Sequence, residues 1–380
     1  MTTLCPVEVA MFVSTLYMKV GIVVKILIRV AILLLVALAI FYLTGNHVKE
    51  NEPLQSPVKQ GAPVPVTDKG VGTAIPQTSR PEKGLSIFVG DKTKKLVEKW
   101  GEPTRIEPSG YGYDWWIYLD DLKFMVGVND NGLVNQIYTT ESAAEIYPFQ
   151  IGQNIDDIFR FTIVGSEVDV MIDENVYTFS LNGEDLKTRL LIIYKGLFVQ
   201  LYLDNESGDL QAVRFIDPET LILHQPYEMT YMGELIVSKP PSSTLQIEVN
   251  RTAERQTFEI TNLYRKKFNV PEVMYDYDLT IFARDYSEKM ALKNYSAEET
   301  TDSEKLSDRL DEAMIEHRKA AENIAFDYVD AIEAVHGWLN SPAHRSILLD
   351  KDFTHMGTGS YGNYYTQDFI KATKEDIRRK

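Results

Sequence analysis

Two short stretches decide the fold of the C-terminal part of the chain: residues 321–325 read AENIA, and residues 337–345 read GWLNSPAHR. The second stretch closes a helix predicted over residues 328–339, because Asn340-Ser341-Pro342 is a stop signal. Residues 353–370 read as two short strands across a turn rich in glycine. This order predicts a unit of mixed α and β structure.

Two amphipathic helices are predicted upstream of these stretches. Apolar and aromatic side chains recur at helical spacing over residues 253–268, and the last turn carries Arg265, Lys266 and Lys267. Cations are favourable at that end of the helix dipole. Residues 279–292 (LTIFARDYSEKMAL) show the same spacing. We therefore predict one domain over residues 245–371.

Together these residues resemble the bacterial CAP (SCP/PR-1-like) domain. Residues 321–325 are similar to the family motif GENIA, with alanine at its first position, and residues 337–345 are similar to GWxNSPxHR. Residues 353–359 (FTHMGTG) and 364–367 (YYTQ) are similar to the closing hairpin of the family. The resemblance covers about a third of the chain. It implies a CAP α-β-α sandwich within an α+β protein.

The resemblance also implies a central cleft that can present two histidines and one or two acidic residues. Glu322 takes the acidic role of the GENIA motif, and His344 takes the role of the SPxHR histidine. The other histidine normally lies in a YFSH motif, but residues 294–298 read NYSAE, so Glu298 occupies its position. Asp308-Arg309 matches a typical downstream pair without a gap, which supports this register.

The substitution at position 298 weakens the interpretation as a metal site. Zinc favours imidazole and thiolate ligands, and catalytic zinc usually has three protein ligands. Glu298, Glu322 and His344 would form a harder and weaker set, able to hold calcium or magnesium loosely or no ion. We expect no required cofactor, with a weak divalent metal site as the alternative. Glu322 and His344 are the only catalytic candidates.

Three further histidines lie near these motifs. His317 lies in a charged stretch and is predicted to be solvated. His336 lies in the middle of a predicted helix and His355 in a predicted strand, so structural hydrogen bonds are favoured over ligand roles. For Glu322, a buried structural carboxylate and a site residue are equally compatible with the sequence.

Residues 85–230 show short β-rich runs, preceded by a helix predicted over residues 92–100. The same order, a helix followed by short strands, recurs from residue 149. This recurrence predicts a duplicated α+β domain with two related halves. Residues 99–103 (KWGEP) and 111–116 (YGYDWW) resemble the CAP-associated N-terminal domain. Trp115, Trp116 and many tyrosines could form a binding face, although aromatics at strand spacing are more often core.

The N-terminal region resembles a signal-anchor. Residues 30–43 (VAILLLVALAIFYL) are uncharged, and the apolar run extends back to residue 20 across Lys25 and Arg29. A spanning helix needs about 20 residues. The cations lie on the N-terminal side, which predicts a cytoplasmic N-terminus within residues 1–45 and extracytoplasmic domains beyond. A cleaved signal peptide is the alternative, although the run lacks an A-x-A end. Residues 1–17 could be an over-extended start.

Residues 46–84 contain six prolines among polar residues and are predicted to form a linker that holds the folded part away from the membrane. The formal net charge of the chain is −16, which argues against nucleic-acid binding through a basic patch. Cys5 is the single cysteine, so no intrachain disulfide forms. A large exported region without cysteine is typical of a bacterial surface protein.

These features predict a membrane-anchored extracytoplasmic protein, tethered through residues 20–43, that acts as a non-catalytic binding module at the cell surface. Its ligand would be a cell-wall polymer, a lipid or a surface protein. The alternative is a metal-dependent hydrolase with Glu322 as general base and His344 as ligand or acid.

Overall fold

The computed structural model describes residues 25, 27–36, 47–57, 62–63, 80–118, 124–293 and 305–372. Its mixed α and β structure is built around three sheets, of seven, six and four strands. Within the described residues from 80 onward, the helices of eight or more residues are α1 (Thr93–Trp100), α5 (Ser243–Lys267), α6 (Tyr277–Leu292) and α8 (Ala331–Asn340). The shorter ones are α2 (Ile155–Phe159), α3 (Asp185–Thr188), α4 (Pro218–His224), α7 (Leu306–Glu312) and α9 (Pro342–Leu348).

The seven-stranded sheet has the order β10-β11-β12-β7-β6-β5-β4. Every neighbouring pair in it is antiparallel, and β7 and β12 are buried along their whole length. Its strands are β4 (Arg105–Pro108), β5 (Tyr113–Tyr118), β6 (Phe124–Asn129), β7 (Val134–Thr139), β10 (Arg189–Tyr194), β11 (Leu197–Leu203) and β12 (Leu210–Ile216).

Two backbone contacts of this sheet repeat on either side of its centre. Gly90 N donates to Val134 O at 2.6 Å where the first half enters β7, and Gly152 N donates to Leu210 O at 2.8 Å where the second half enters β12. Both glycines have a positive φ, 85° and 86°, a region that glycine adopts at little cost. The same glycine contact therefore occurs once before β7 and once before β12.

A smaller sheet of order β3-β13-β9-β8 covers the side of the second half. It consists of β3 (Ala62–Pro63), β8 (Glu167–Ile172), β9 (Asn175–Ser180) and β13 (Glu228–Met232). Its apolar face packs with α4 and the inner face of β10 and β11, through Val170, Phe179, Leu191, Phe198 and Leu221.

The six-stranded sheet forms the centre of the C-terminal unit, in the order β1-β15-β17-β16-β14, with β2 also paired to β15. Its strands are β1 (His47–Lys49), β2 (Leu54–Gln55), β14 (Met274–Tyr275), β15 (Lys319–Phe326), β16 (His355–Tyr361) and β17 (Tyr364–Lys371). Contacts with α6 and α7 mark one face, and contacts with α5, α8 and α9 mark the other. This arrangement confirms the predicted CAP-like fold.

Helix α6 crosses β16 at backbone contact distance. A Cβ atom on Gly357 would lie 2.2 Å from the carbonyl carbon of Leu279, and one on Gly359 would lie 2.2 Å from that of Ala283. Such distances leave no room for a side chain. The two glycines of the FTHMGTG stretch therefore set how closely the helix approaches the sheet.

Helix α5 begins ten residues before the predicted start. Ser242 is its N-cap, and the Ser242 Oγ accepts a hydrogen bond from Leu245 N at 3.3 Å. Serine is a preferred N-cap because its hydroxyl satisfies a backbone N–H that has no partner within the helix. The added turns at residues 243–252 are mostly polar, so apolar spacing alone did not indicate them.

Residues 47–57 do not act as a free spacer, and this part of the linker prediction was wrong. β1 and β2 pair in parallel with β15, from His47 opposite Lys319 to Gln55 opposite Phe326. The segment therefore completes the edge of the CAP sheet. The sequence signal was weak because each strand is only two or three residues long.

The aromatic face of the seven-stranded sheet is buried against the C-terminal unit. One apolar cluster joins Tyr113, Trp115, Tyr138 and Tyr202 of that sheet to residues of α5, α8 and β17. Trp115 is 2% exposed, and Tyr202 is 0% exposed. The face therefore serves as an interdomain core, which is the interpretation that strand spacing favoured.

The predicted membrane span over residues 20–43 lies mostly outside the described residues. Residues 27–36 are helical, and large apolar side chains along them, such as Leu33 and Leu35, are exposed. Within the part of the chain that the structure describes, no helix is both long enough and apolar enough to cross a membrane.

Candidate functional site

Glu322 lies in the middle of β15, and its carboxylate is bound to Arg309 of α7. Arg309 Nη2 donates to both oxygens of Glu322 at 2.8 Å. The guanidinium also lies over the ring of Tyr286, with its carbon 3.6 Å from the ring centroid. Both charged side chains are buried, at 6% and 4% exposure. Glu322 therefore has a cationic partner within the sandwich.

Asp368 of β17 lies directly opposite Glu322 in the sheet and is 1% exposed. When it is ionised, no described hydrogen-bond donor reaches either of its carboxylate oxygens. Burial raises the pKa of Asp368 well above its usual range, and the charge of Glu322 raises this pKa further. Burial also raises the pKa of Glu322, while Arg309 opposes that shift. Arg309 thus binds Glu322, and a proton on Asp368 that is donated to Glu322 satisfies the second carboxyl group.

Asp368 was not among the predicted site residues. The signal that could have found it is strand alternation, since Glu322 and Asp368 each occupy an alternate position in a strand of a recognisable motif. Arg309 was quoted only as a marker of register. Its role as the ion-pair partner of Glu322 depends on the packing of α7, which no motif specifies.

His344 lies in the first turn of α9 and is 4% exposed. Its Nδ1 is 2.8 Å from Ser341 Oγ, and its Nε2 is 3.0 Å from the carbonyl oxygen of Glu52. A carbonyl only accepts, so Nε2 carries the hydrogen, and Nδ1 accepts from the serine hydroxyl. Burial lowers the pKa of His344 to about 4. Nε2 therefore holds the segment that joins β1 and β2, while Nδ1 is held by the serine that precedes α9.

The structure does not bring His344 to Glu322. Successive residues of a strand point to opposite faces of a sheet. Glu322 faces α7, whereas the next residue, Asn323, donates through Nδ2 to the backbone oxygen of His344 at 3.2 Å. The two candidates thus belong to opposite faces of the sheet, and a shared cleft role is not supported. Glu298 lies outside the described residues.

Metal ligation is limited by the same geometry. Among the residues that the structure describes, no three histidine, cysteine or acidic side chains are grouped closely enough to hold a metal ion. Glu322 and Asp368 offer only oxygen donors, and Arg309 already places a positive charge beside them. The described residues do not fit a zinc site of the histidine type, and oxygen donors alone suit a hard cation.

The remaining histidines are structural. His336 is 2% exposed, accepts or donates hydrogen bonds with Tyr138 and Tyr264 at 3.0 and 3.1 Å, and stacks on Tyr202. His355 is buried in β16, as expected for a structural residue. The prediction that His317 is solvated was wrong, because it is 6% exposed and its Nδ1 lies 3.0 Å from the carbonyl oxygen of Ile315.

A second charged cluster lies between the two units and was not predicted. Glu333 of α8 accepts from Arg189 Nη1 at 2.9 Å, from Gln200 Nε2 at 3.1 Å and from the Tyr202 hydroxyl at 2.8 Å. Asp185 takes the other end of the Arg189 guanidinium at 2.7 Å. These contacts fix α8 against β10 and β11. Their partners are far apart in sequence, so only the docked structure reveals them.

Two more ion pairs extend this interdomain cluster. Arg214 donates to Asp330 at 2.7 Å, and Arg345 donates to Asp204 at 2.9 Å. His224 is buried beside Arg214, with its Nε2 3.0 Å from the Tyr113 hydroxyl. A cavity of about 440 Å³ opens here. Its lining includes Gln55, Ser56, Arg189, His224, Asp327 and Asn363.

Comparisons with known proteins agree with this architecture. The family model "CAP-associated N-terminal" matches residues 89–227, and the model "Cysteine-rich secretory protein family" matches residues 258–371. The "Uncharacterized membrane protein YlbC" of Bacillus subtilis is 38% identical over 293 residues, which cover 77% of this chain and 84% of that protein.

Two crystal structures resemble the whole described fold. An extracellular protein containing an SCP domain from Bacillus anthracis has a TM-score of 0.71 and 30% identity, covering 81% of this chain and 100% of that chain. A cysteine-rich secretory protein from Staphylococcus aureus has a TM-score of 0.67 and 27% identity, covering 77% and 97%. The chain therefore belongs to the family of bacterial proteins in which a CAP-associated N-terminal domain precedes a CAP domain.

Proposed function

We propose that the protein is a single-pass, membrane-anchored surface protein whose exported domains act as a binding module without catalysis. The anchor is supported by the apolar run over residues 20–43 and by the name of the Bacillus subtilis relative, a membrane protein. The exported position is supported by the name of the Bacillus anthracis protein, an extracellular protein. The positive charges before the run give the orientation.

The hydrogen bonds of the two candidate residues, Glu322 and His344, are the main support for a non-catalytic role. Both oxygens of Glu322 accept from Arg309, and both ring nitrogens of His344 have partners. A general base must reach the proton that it removes, and Glu322 and His344 are each only 4% exposed. Each of these groups instead satisfies a buried neighbour, and they lie on opposite faces of the sheet.

The ligand surface is proposed to be the interdomain cavity of about 440 Å³. The tyrosine-rich face is occupied by the docking of the two units, so it does not provide a free surface. The cavity is lined by amide, hydroxyl and charged side chains, among them Gln55, Ser56 and Asp327. Such a lining suits a hydroxyl-rich cell-wall polymer better than a lipid chain.

A sedimentation assay tests this proposal. Detergent-solubilised full-length protein is expected to co-sediment with purified cell walls, and Asn363→Trp is expected to reduce the bound fraction at least several-fold, because Asn363 lines the cavity. Asn131→Trp is the matched control, since Asn131 also lies in an exposed hairpin turn but does not line this cavity. Equal binding by both variants would place the ligand elsewhere, and no binding by the wild type would reject a wall ligand.

One observation favours a metal-dependent alternative, namely the pair formed by Glu322 and Asp368. A hard divalent cation could replace the shared proton between two buried carboxyl groups. Metal analysis of the purified protein tests this. A stoichiometric metal that is lost in both Glu322→Gln and Asp368→Asn would favour the alternative, and zinc lost in His344→Ala would contradict the non-catalytic proposal.

A further inference from the structure

The chain joins the CAP sheet within a few residues of the predicted end of the membrane span. We call the residues between the span and β1 the tether. The span is predicted to end at Leu43, and β1 begins at His47. Consecutive Cα atoms are at most about 3.8 Å apart, so four steps reach no more than about 15 Å. This limit holds for any conformation of the residues between them.

The direction of β1 decides which end of the domain is held there. β1 runs parallel to β15, with His47 opposite Lys319, and Lys319 lies opposite Lys371 of β17. The Lys319 end of the strands is therefore near the membrane. The other end, at Phe326, lies about 23 Å away, since a strand advances about 3.3 Å per residue. The hairpin turn at Gly362 and Asn363 follows at that distant end.

The docked segment is held at several points, which makes this orientation fixed. Glu50 Oε1 accepts from Leu306 N at 2.8 Å and so caps α7. Lys49 Nζ donates to Ser346 Oγ at 2.6 Å, and His344 Nε2 donates to Glu52 O at 3.0 Å. Ser56 N donates to Phe326 O at 3.0 Å at the end of the segment. Contacts along the whole length of β15 hold residues 47–57 to the domain and keep its Lys319 end next to the tether.

The end of the domain that lies near the membrane has a surface suited to lipid headgroups. We define it as the basal end, formed by residues 316–319, 350–352 and 371, which include the cations Arg318, Lys319, Lys351 and Lys371. Asp350 and Asp352 bind Lys319, and Asp352 also binds Lys371. Met314, in the loop before Arg318, is 87% exposed.

We propose that the basal end of the CAP domain rests on the outer surface of the membrane, against anionic lipid headgroups, and that residues 47–57 fix it there. This inference rests on the proposed membrane anchor. The middle domain and the interdomain cavity then face away from the bilayer, since Asn363 lines the cavity at the opposite end of the strands. Arg318 supplies a charge that the aspartates do not neutralise, and attraction to anionic headgroups falls off within a Debye length.

Energy transfer from labelled protein to a headgroup-labelled acceptor lipid tests the orientation. Cys5 is the only cysteine, so a Cys5→Ser background allows single labels. Full-length Lys351→Cys and Asn363→Cys, both at exposed positions, are reconstituted into vesicles containing phosphatidylglycerol. The label at 351 is expected to transfer at least twofold more efficiently than the label at 363. Equal transfer, or stronger transfer from 363, would overturn the inference.

Two insertions provide matched controls. A flexible insert of 20 glycine and serine residues after Gly45 adds roughly 25 Å of root-mean-square reach, so transfer from the label at 351 is expected to fall and the contrast between the labels to disappear. The same insert after Gly72 lies beyond the docked segment, between it and the middle domain, and is expected to leave both signals unchanged. Loss of contrast with the second insert would contradict the role of residues 47–57.

Flotation separates failure of this inference from failure of the anchor. Protein that does not float with vesicles after an alkaline carbonate wash would reject the membrane anchor itself. Protein that floats without the contrast between labels would reject only the basal orientation. Arg318→Glu is expected to lower transfer from the label at 351 on anionic vesicles and to have no effect on zwitterionic vesicles. No difference between the lipids would reject the electrostatic contact.

Discussion

Two buried charged clusters of this protein differ in how completely their carboxylates are satisfied. Between the units, Glu333 accepts three hydrogen bonds, one from Arg189 and two from neutral side chains. Within the CAP sandwich, Glu322 accepts from Arg309, whereas no described donor reaches the carboxylate of Asp368. Glu333 and Asp185 of the interdomain cluster each have a hydrogen-bond donor, and Asp368 of the sandwich cluster does not.

This difference indicates a structural role for the interdomain cluster and a role that depends on pH or cations for the sandwich cluster. A buried charge that is fully paired holds two elements in one arrangement, and removing its partner leaves an uncompensated charge. A buried carboxyl group without a donor must take up a proton or a cation. The interdomain cluster therefore fixes the orientation of the domains, and the sandwich cluster is the place where pH or an added cation changes the protein.

The largest expected effect is the loss of the interdomain charge. Glu333→Gln leaves Arg189 with only Asp185, and we expect the free energy of unfolding to fall by about 3–5 kcal/mol, the usual cost of breaking a buried pair. Urea denaturation measures this. Glu98→Gln is the control, because Glu98 pairs with Lys94 at the surface with 64% of its side chain exposed, where such pairs contribute about 0–1 kcal/mol. Similar losses in the two variants would contradict the structural role of Glu333.

Acid is expected to destabilise the tether contact and the interface. Burial lowers the pKa of His344 to about 4 and lowers the pKa of His336 and His224 well below the usual value. The unfolded chain binds these protons first, so stability present above about pH 6.5 is lost as the pH falls toward 4. For His344 alone the loss is on the order of 3 kcal/mol. The free energy of unfolding, measured by urea denaturation at pH 7 and pH 5, should show this loss. His344→Gln should reduce the dependence of the free energy of unfolding on pH. An unchanged pH dependence would argue against burial of this ring.

Because Asp368 is a buried carboxyl group without a described donor, we expect its replacement by asparagine to stabilise the protein. The folded pKa of Asp368 is raised, so its favourable contribution is fully present below the unfolded pKa of about 3.9 and is lost as the pH rises. Asp368→Asn removes this loss, and we expect the variant to exceed the wild type by about 1–3 kcal/mol at pH 8 and to match it near pH 3.5. Thermal unfolding across pH measures the difference. Destabilisation at pH 8 would instead indicate a bound cation.

The smallest loss in the free energy of unfolding is expected for Glu322→Gln, which is the counterpart of Glu333→Gln in the sandwich cluster. In Glu322→Gln, Asp368 can ionise and take over the charge of Arg309, so the loss should stay below about 1 kcal/mol. The double variant Glu322→Gln/Asp368→Asn has no such replacement, and its loss should exceed the sum of the single effects. Additive losses would show that the two carboxyl groups act independently.

The sequence predicted the parts of the fold that depend on local pattern. The helix before Asn340 and the hairpin after residue 353 followed from motif and spacing. Trp115 was expected in a core, and it lies in the core between the two units. Each of these features is specified by residues that are close together in the chain.

The parts that could not be predicted depend on contacts between distant residues. Arg189 and Glu333 meet only after the units dock, and no local signal distinguishes them from surface charges. β1 and β2 are too short to show alternation, and they form because β15 offers an open edge. His344 was assigned to the cleft from its motif, but Asn323 connects it to the other face. Motifs therefore located the residues without giving the direction of their side chains.

The edge strand β1 also has a consequence for the order of folding during export. His47 leaves the ribosome first among the strand residues, yet its partner Lys319 follows about 270 residues later, so the sheet closes a very long loop. The middle domain can be complete before that contact forms. The edge of β15 that receives β1 therefore does not exist until residues 319–326 have been made, so residues 47–57 can dock only after the middle domain has been synthesised.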